Sequence, residues 1–245
     1  MKAEEVTVFV TTIGDEVNFT ECMSRLARQS VKCAVEVIDH VAPMSEAFQE
    51  MHRRCRSRYY IQVDEDMLLF PSAVKKLWQT IARAAPEVAI VCAPLWDCDV
   101  ERSIYGVKIY RSEIVRRFPY RNVLSCEKEQ LLRLREEGFS IGLLPLGGRS
   151  SCFGEHGKYY TPDTIFRRWQ RLFQKQAVYG TLSWIEPWPP LLLRRYLHTK
   201  SELHLFALLG AIAGIVGSPS SDTELDWRSN NMELARLKRY FASAK

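Results

Sequence analysis

Four short runs of β-branched and aromatic residues, interleaved with stretches of helical period, restrict this chain more than any other feature it carries. "VTVFVTT" (6–12), "AVEVID" (34–39), "YYIQVD" (59–64) and "VAIVCAPL" (88–95) are each followed by polar or turn residues, which predicts strands. Between them Phe19, Cys22, Met23 and Leu26 share one helical face, as do Phe48, Met51 and Cys55, and Val74, Leu77, Trp78 and Ile81. Apolar strands alternating with helices of this length predict a mostly parallel sheet covered on both faces, a doubly wound α/β arrangement. Ligands of such sheets bind beyond the carboxyl ends of the strands. Thr11, Thr12, Asp39 and the run Asp64, Glu65, Asp66 fall at those ends, which makes them candidate site residues.

Past residue 100 the pattern changes. "YGVKIYRSEIVRRF" predicts a strand entering a short helix, "CEKEQLLRLREEGF" a helix closed by Gly138, and "SIGLLPLG" another strand. "GRSSCFGEHGKYYTPD" is expected to be a polar, glycine-rich loop ahead of a helix with Ile165, Trp169, Leu172 and Phe173 on one face. Residues 180–245 form a separate, mainly helical extension beyond a main domain of residues 1–179. Its apolar stretch "LFALLGAIAGIVG" has 13 residues, fewer than the ~20 that a membrane-spanning helix needs. Ordinary burial, a helix-pair or subunit interface and a peripheral membrane contact are the alternatives for it.

Charge and cysteine usage exclude several classes. A net charge of +5, with the basic residues scattered, is no basic stripe of the kind that binds nucleic acid. The seven cysteines contain no CxxC pair, so reduced thiols are expected rather than a zinc or redox motif. "MKAEEVTVFVTTIGDE" lacks the charged, apolar and cleavage segments of a secretory signal, and the expectation is a cytoplasmic protein, with the inner face of the membrane as the peripheral alternative.

The acids of "YYIQVDEDMLLFP" need a reason to stand between two apolar runs. Carboxylates one residue apart at a strand end can present oxygen ligands to a hard divalent cation, which in turn can neutralise a diphosphate. A solvated turn, or a charge cluster ahead of the helix after Pro71, is the competing account, and the apolar flanks favour the cation.

In their order, "VTVFVTT", "VEVID" and "SEAFQEMHRRCRSRYYIQVDEDM" resemble the nucleotide-sugar domain of GT-A glycosyltransferases of the family-2 type, over roughly residues 5–175. The resemblance implies an α/β fold with a Rossmann-like mixed sheet flanked by helices, and a DxD signature at Asp64 to Asp66. "CEKEQLLRLREEGFSIGLLP" is similar to the family's catalytic segment: matching Arg133, Leu134 and Gly138 puts Glu127 at the position of the catalytic base. Cys126 stands where relatives usually carry the first of two acids, and Glu129 is the alternative base. "GEHGKYYTPDTIFRRWQR" is similar to the late loop whose histidine completes a metal site, here His156.

The resemblance thus implies an inverting transferase that moves a sugar from a nucleotide-diphosphate donor to a saccharide or lipid-linked hydroxyl, using Mn or Mg. Asp66 and His156 would hold the cation, with Thr11, Thr12, Asp39, Asp64 and Glu65 toward the nucleotide sugar. Trp96 could serve as an acceptor platform or as core, and Asp97 and Asp99 as acceptor contacts or loop acids. A sugar-phosphate nucleotidyltransferase is the nearest alternative, although "VTVFVTTIGDEVNFT" has one glycine and no Lys or Arg for a phosphate loop. A non-catalytic nucleotide-sugar-binding protein of the same fold is the other.

Overall fold

The computed structural model describes residues 5–179 and 188–217, in two compact units that divide between Tyr159 and Tyr160. The strands read from sequence form as β1 (Val6–Thr12), β2 (Ala34–Asp39), β3 (Tyr59–Asp64) and β5 (Val88–Asp97), joined by β4 (Met67–Leu69), β6 (Arg102–Arg111), β7 (Ser140–Leu143) and β8 (Gly154–His156). The helices of the first unit are α1 (Glu16–Ala27), α2 (Met44–Arg54), α3 (Ala73–Arg83), the single turn α4 (Ser112–Val115) and α5 (Cys126–Glu136).

The sheet runs β2-β1-β3-β6-β5-β8-β4, with β7 and β8 along different lengths of one edge of β5. It is mixed. The strands β2, β1 and β3 are parallel, but β6 is antiparallel to both β3 and β5, and β4 is antiparallel to β8. This corrects the expectation of a mostly parallel sheet. A strand buried on both faces is apolar throughout whichever way its neighbour runs, so composition does not report direction. Because β6 reverses twice, β5 and β8 run the same way as β3, and the carboxyl ends of β1, β2, β3, β5 and β8 share one edge.

Strand alternation splits the core into two layers. Val6, Val8, Val10, Ile61, Val63, Val91, Ala93 and Ile109 face the layer with Cys22 and Leu26 of α1 and Val74, Leu77 and Ile81 of α3. Phe9, Tyr60, Ile90, Cys92 and Tyr110 face the other, with Phe48 and Met51 of α2 and Cys126 and Leu134 of α5. Asp15 caps α1 by accepting from the Asn18 amide at 3.1 Å. Gly138, at φ +83°, ends α5, and the Phe139 amide closes back on the Leu134 carbonyl at 3.0 Å.

The segment 148–163, expected as a loop, contains a 3₁₀ turn at Arg149–Ser151 and the strand β8. Gly154 permits that pairing: a Cβ there would stand 2.6 Å from the Leu68 carbonyl oxygen. The close approach needs the absent side chain.

The second unit holds α6 (Pro162–Tyr179), α7 (Trp188–Thr199) and α8 (Glu202–Val216). The boundary expected at residue 180 would group α6 with the main domain; in the structure α6 packs on α8. A Cβ on Gly210 would lie 2.2 Å from the Phe166 carbonyl oxygen, and one on Gly214 2.4 Å from that of Gln170, so the backbones of α6 and α8 meet directly. The apolar stretch of α8 thereby has a partner, and Trp169 of α6 packs at a tilt against Trp188 of α7, with ring centroids 5.5 Å apart. No helix among the described residues is long and apolar enough to cross a membrane. The remainder of the predicted extension, 180–187 and 218–245, lies outside the described residues. All seven cysteines are thiols.

Candidate active site

The face of the sheet beneath α2 and α5 changes character along β3. Tyr60, Gln62 and Asp64 follow one another on that face, and β6 sets Tyr110 opposite Tyr60 and Lys108 opposite Gln62. Tyr60 and Tyr110 stack with centroids 4.6 Å apart, and the Tyr110 hydroxyl donates to Gln62 Oε1 at 2.7 Å. Burial holds both phenols well above their ordinary range, so this end of the face is neutral. Charge begins at the next pair. Lys108 donates to Glu127 Oε1 at 2.5 Å, and Glu127 stands in the first turn of α5, where a carboxylate suits the helix dipole. Burial alone would lower the Lys108 pKa; the Glu127 carboxylate, with Cys92 and Asp64 nearby, holds it above the usual lysine range.

Asp64 ends β3 and accepts from the Thr11 hydroxyl at 2.6 Å. Burial, followed by the charge of Asp66, pushes its carboxyl up to about 6, against the Thr11 hydrogen bond, which favours the charged form. The next acid points elsewhere. Glu65 is buried, and it accepts from the Thr12 hydroxyl and from the Ile13 and Asp15 amides, both at 3.2 Å. Glu65 thereby holds the loop between β1 and α1 in place. Thr12 is buried with it, while Asp39 is exposed at the end of β2 with its Oδ1 2.5 Å from His40 Nδ1.

The third acid meets the histidine. The β4–β8 ladder pairs Met67 with His156, which brings Asp66 Oδ2 to 3.4 Å from His156 Nε2, and the Gly157 amide donates to the Asp66 carbonyl at 3.1 Å. Two donors each about 2.1 Å from a small cation lie roughly 3 to 3.5 Å apart as neighbours in its coordination shell, so the pair fits an ion. Among the described residues no group of three or more His, Cys, Asp or Glu could hold a metal by itself. A two-ligand site agrees with the habit of Mg-type cations, which take one or two protein ligands and complete their shell with phosphate oxygens and water.

The other ring nitrogen, His156 Nδ1, is 3.0 Å from Asp97 Oδ2, and Asp97 has no exposed surface. Sequence reasoning offered Asp97 as an acceptor contact; burial removes it from acceptor reach. Lys108 was not singled out either. A lysine of the same parity as Tyr110 inside the run "IYGVKIY" of β6 was the available signal. Glu129, the alternative base, is held by Arg133 at 2.7 and 2.8 Å and by Arg121 at 3.0 Å. Glu127 is the acid that shares Lys108 with Asp64.

No protein-family profile and no curated protein matches the sequence. Solved structures do match. A mannosyltransferase from Pyrobaculum calidifontis, PcManGT, in complex with GDP-Man and Mn2+, is similar at a TM-score of 0.52 and 15% identity, over 98% of this chain and 80% of that one. Glucosyl-3-phosphoglycerate synthase from Mycobacterium tuberculosis, in complex with Mn2+, UDP and phosphoglyceric acid, is similar at 0.52 and 10% identity, over 71% and 78%. The 4-diphosphocytidyl-2C-methyl-D-erythritol synthase from Anaerococcus prevotii is similar at 0.39 and 7% identity, over 58% and 89%. The chain has the GT-A fold: a mixed sheet flanked by helices, as in the first two.

Proposed function

We propose that this chain is an inverting glycosyltransferase that moves a sugar from a nucleotide-diphosphate donor to a hydroxyl of a saccharide or lipid-linked acceptor, with a divalent cation, Mn or Mg, held by Asp66 and His156. The observation that carries the reading is the Asp66–His156 pair, 3.4 Å apart at the sheet edge where Asp64 also ends. Mn2+ accompanies the donor nucleotide in both similar structures, which supports a cation here.

When bound, the cation would neutralise charge on the departing diphosphate. The remaining steps belong to the chain's own groups. Asp64, oriented by Thr11, accepts a hydrogen bond from the donor ribose, Asp39 borders the base, and the buried Thr12 acts through Glu65 on the loop after β1. Glu127, whose orientation Lys108 fixes, takes the proton from the acceptor hydroxyl as its oxygen attacks the anomeric carbon. The new glycosidic bond forms as the bond from that carbon to the diphosphate oxygen breaks, and the electron pair leaves with the nucleoside diphosphate. A single displacement inverts the centre.

The test is a thermal-shift screen of GDP, UDP, CDP and dTDP with and without Mn2+. Stabilisation that needs both nucleotide and cation is expected, and Asp66→Ala abolishes the cation-dependent part. Glu127→Gln is expected to keep that shift and to lower transfer by a factor on the order of 10² or more. Cation-independent stabilisation, or undiminished transfer by Glu127→Gln, would refute the cation role or the base role respectively.

A further inference from the structure

We infer that Asp97 is a positioning residue for the cation site, fixing the ring of His156 so that Nε2 presents its lone pair to a cation shared with Asp66. This rests on the cation reading above. Asp97 ends β5, directly beside His156 in the parallel β5–β8 register, and the Cys98 amide donates to the His156 carbonyl at 3.0 Å. The carboxylate is fully buried. One oxygen, Oδ1, accepts from the backbone amides of Asp99 at 3.1 Å and Val100 at 3.0 Å and so shapes the turn after β5. The other, Oδ2, lies 3.0 Å from His156 Nδ1.

The two oxygens have separable uses. An amide oxygen would serve the turn equally well, so the turn does not require an acid. The second oxygen does: an ionised carboxylate only accepts, so the proton between it and the ring sits on Nδ1, and when a cation rather than a proton lies between Nε2 and the Asp66 carboxylate, Nε2 has its lone pair to give to that cation. An asparagine in the same pose would offer an N–H to Nδ1. The imidazole would answer with the other tautomer, its proton on Nε2 and pointed at the place the cation takes. A histidine ligand held from behind by a carboxylate is also the more basic ligand.

The experiment is Mn2+ binding, followed by the electron paramagnetic resonance of the free ion, to the wild-type chain, Asp97→Asn, His156→Ala and the double variant. Asp97→Asn is expected to weaken Mn2+ about 10- to 100-fold while keeping its melting temperature, and the double variant to bind no more weakly than His156→Ala. A merely structural Asp97 would lower the melting temperature and add its loss to that of His156→Ala. Wild-type-like binding by Asp97→Asn overturns this assignment alone; wild-type-like binding by His156→Ala overturns it together with the cation reading. Should Asp97→Asn fail to fold, the wild-type chain decides: with 15N-labelled histidine and saturating Mg2+, His156, identified by its loss in His156→Ala, is expected to carry its proton on Nδ1. A proton on Nε2 refutes the proposal.

Discussion

Acidification from about pH 7.5 to about pH 5 is expected to cost this protein about 2 kcal/mol through one imidazole, that of His52. His52 is buried on α2, with Nε2 3.0 Å from the Tyr60 hydroxyl and its ring 4.9 Å from that of Tyr120. Its Nδ1 has no hydrogen-bond partner among the described residues. Burial, followed by the nearby Arg116 charge, pulls its pKa down to about 4, against about 6.5 in an unfolded chain. Between those values the unfolded chain takes up a proton that the folded one refuses, so stability is full above about pH 6.5 and falls as the pH drops toward 4. Integrated down to pH 5, the difference in bound protons comes to roughly 1.5 pH units, and at about 1.4 kcal/mol per unit that is about 2 kcal/mol. Urea unfolding of the wild type and of His52→Gln, which keeps a partner for Tyr60, at both pH values isolates the term. Asp64 acts in the opposite sense, because its raised pKa favours the folded state at lower pH; it is present in both proteins and cancels. The stability of the wild type relative to the variant should drop by about 2 kcal/mol on acidification. A difference that stays constant would show that the imidazole is not buried as described.

Two substitutions probe how the site is held. Gly154→Ala forces a methyl against the Leu68 carbonyl and should destabilise by about 1–3 kcal/mol; because Asp66 immediately precedes β4 and His156 ends β8, the Mn2+-dependent shift with nucleotide should shrink, and an unchanged shift would count against the strand pairing as the source of the site. Glu65→Ala strands the Thr12 hydroxyl and the Ile13 and Asp15 amides, at a cost of about 3 kcal/mol by denaturant unfolding, whereas a cost below about 0.5 kcal/mol would show that the loop finds other partners.

The elements legible in the sequence are those whose residues choose their own neighbours. Cys22 and Leu26, or Val74, Leu77 and Ile81, repeat at the helical period and bury the expected faces, and β1, β3 and β5 are apolar enough to need cover on both sides. β4 and β8 are different. Three residues are too few for alternation to register, and Gly154, Glu155 and His156 have no strand composition; that segment is extended because Met67, Leu68 and Leu69 on one side and β5 on the other supply backbone partners. The site divides along the same line. Asp64, Asp66, Glu127 and His156 are recognisable through the order of their motifs. The contacts of Lys108 and Asp97 are tertiary, set by the register of β6 against β3 and of β8 against β5, and register is not a property of either strand alone.

The three-rung ladder between β4 and β8 has a consequence for synthesis and engineering. Asp66 leaves the ribosome long before His156, so the pair exists only once β8 has been made. A chain interrupted between Leu69 and Gly154 would retain the carboxyl ends of β1, β2 and β3 together with Asp66, but not His156, its partner in the proposed cation site. Insertions or circular permutation in the segment 144–153 would leave every proposed contact residue intact while changing how β8 is delivered to β4.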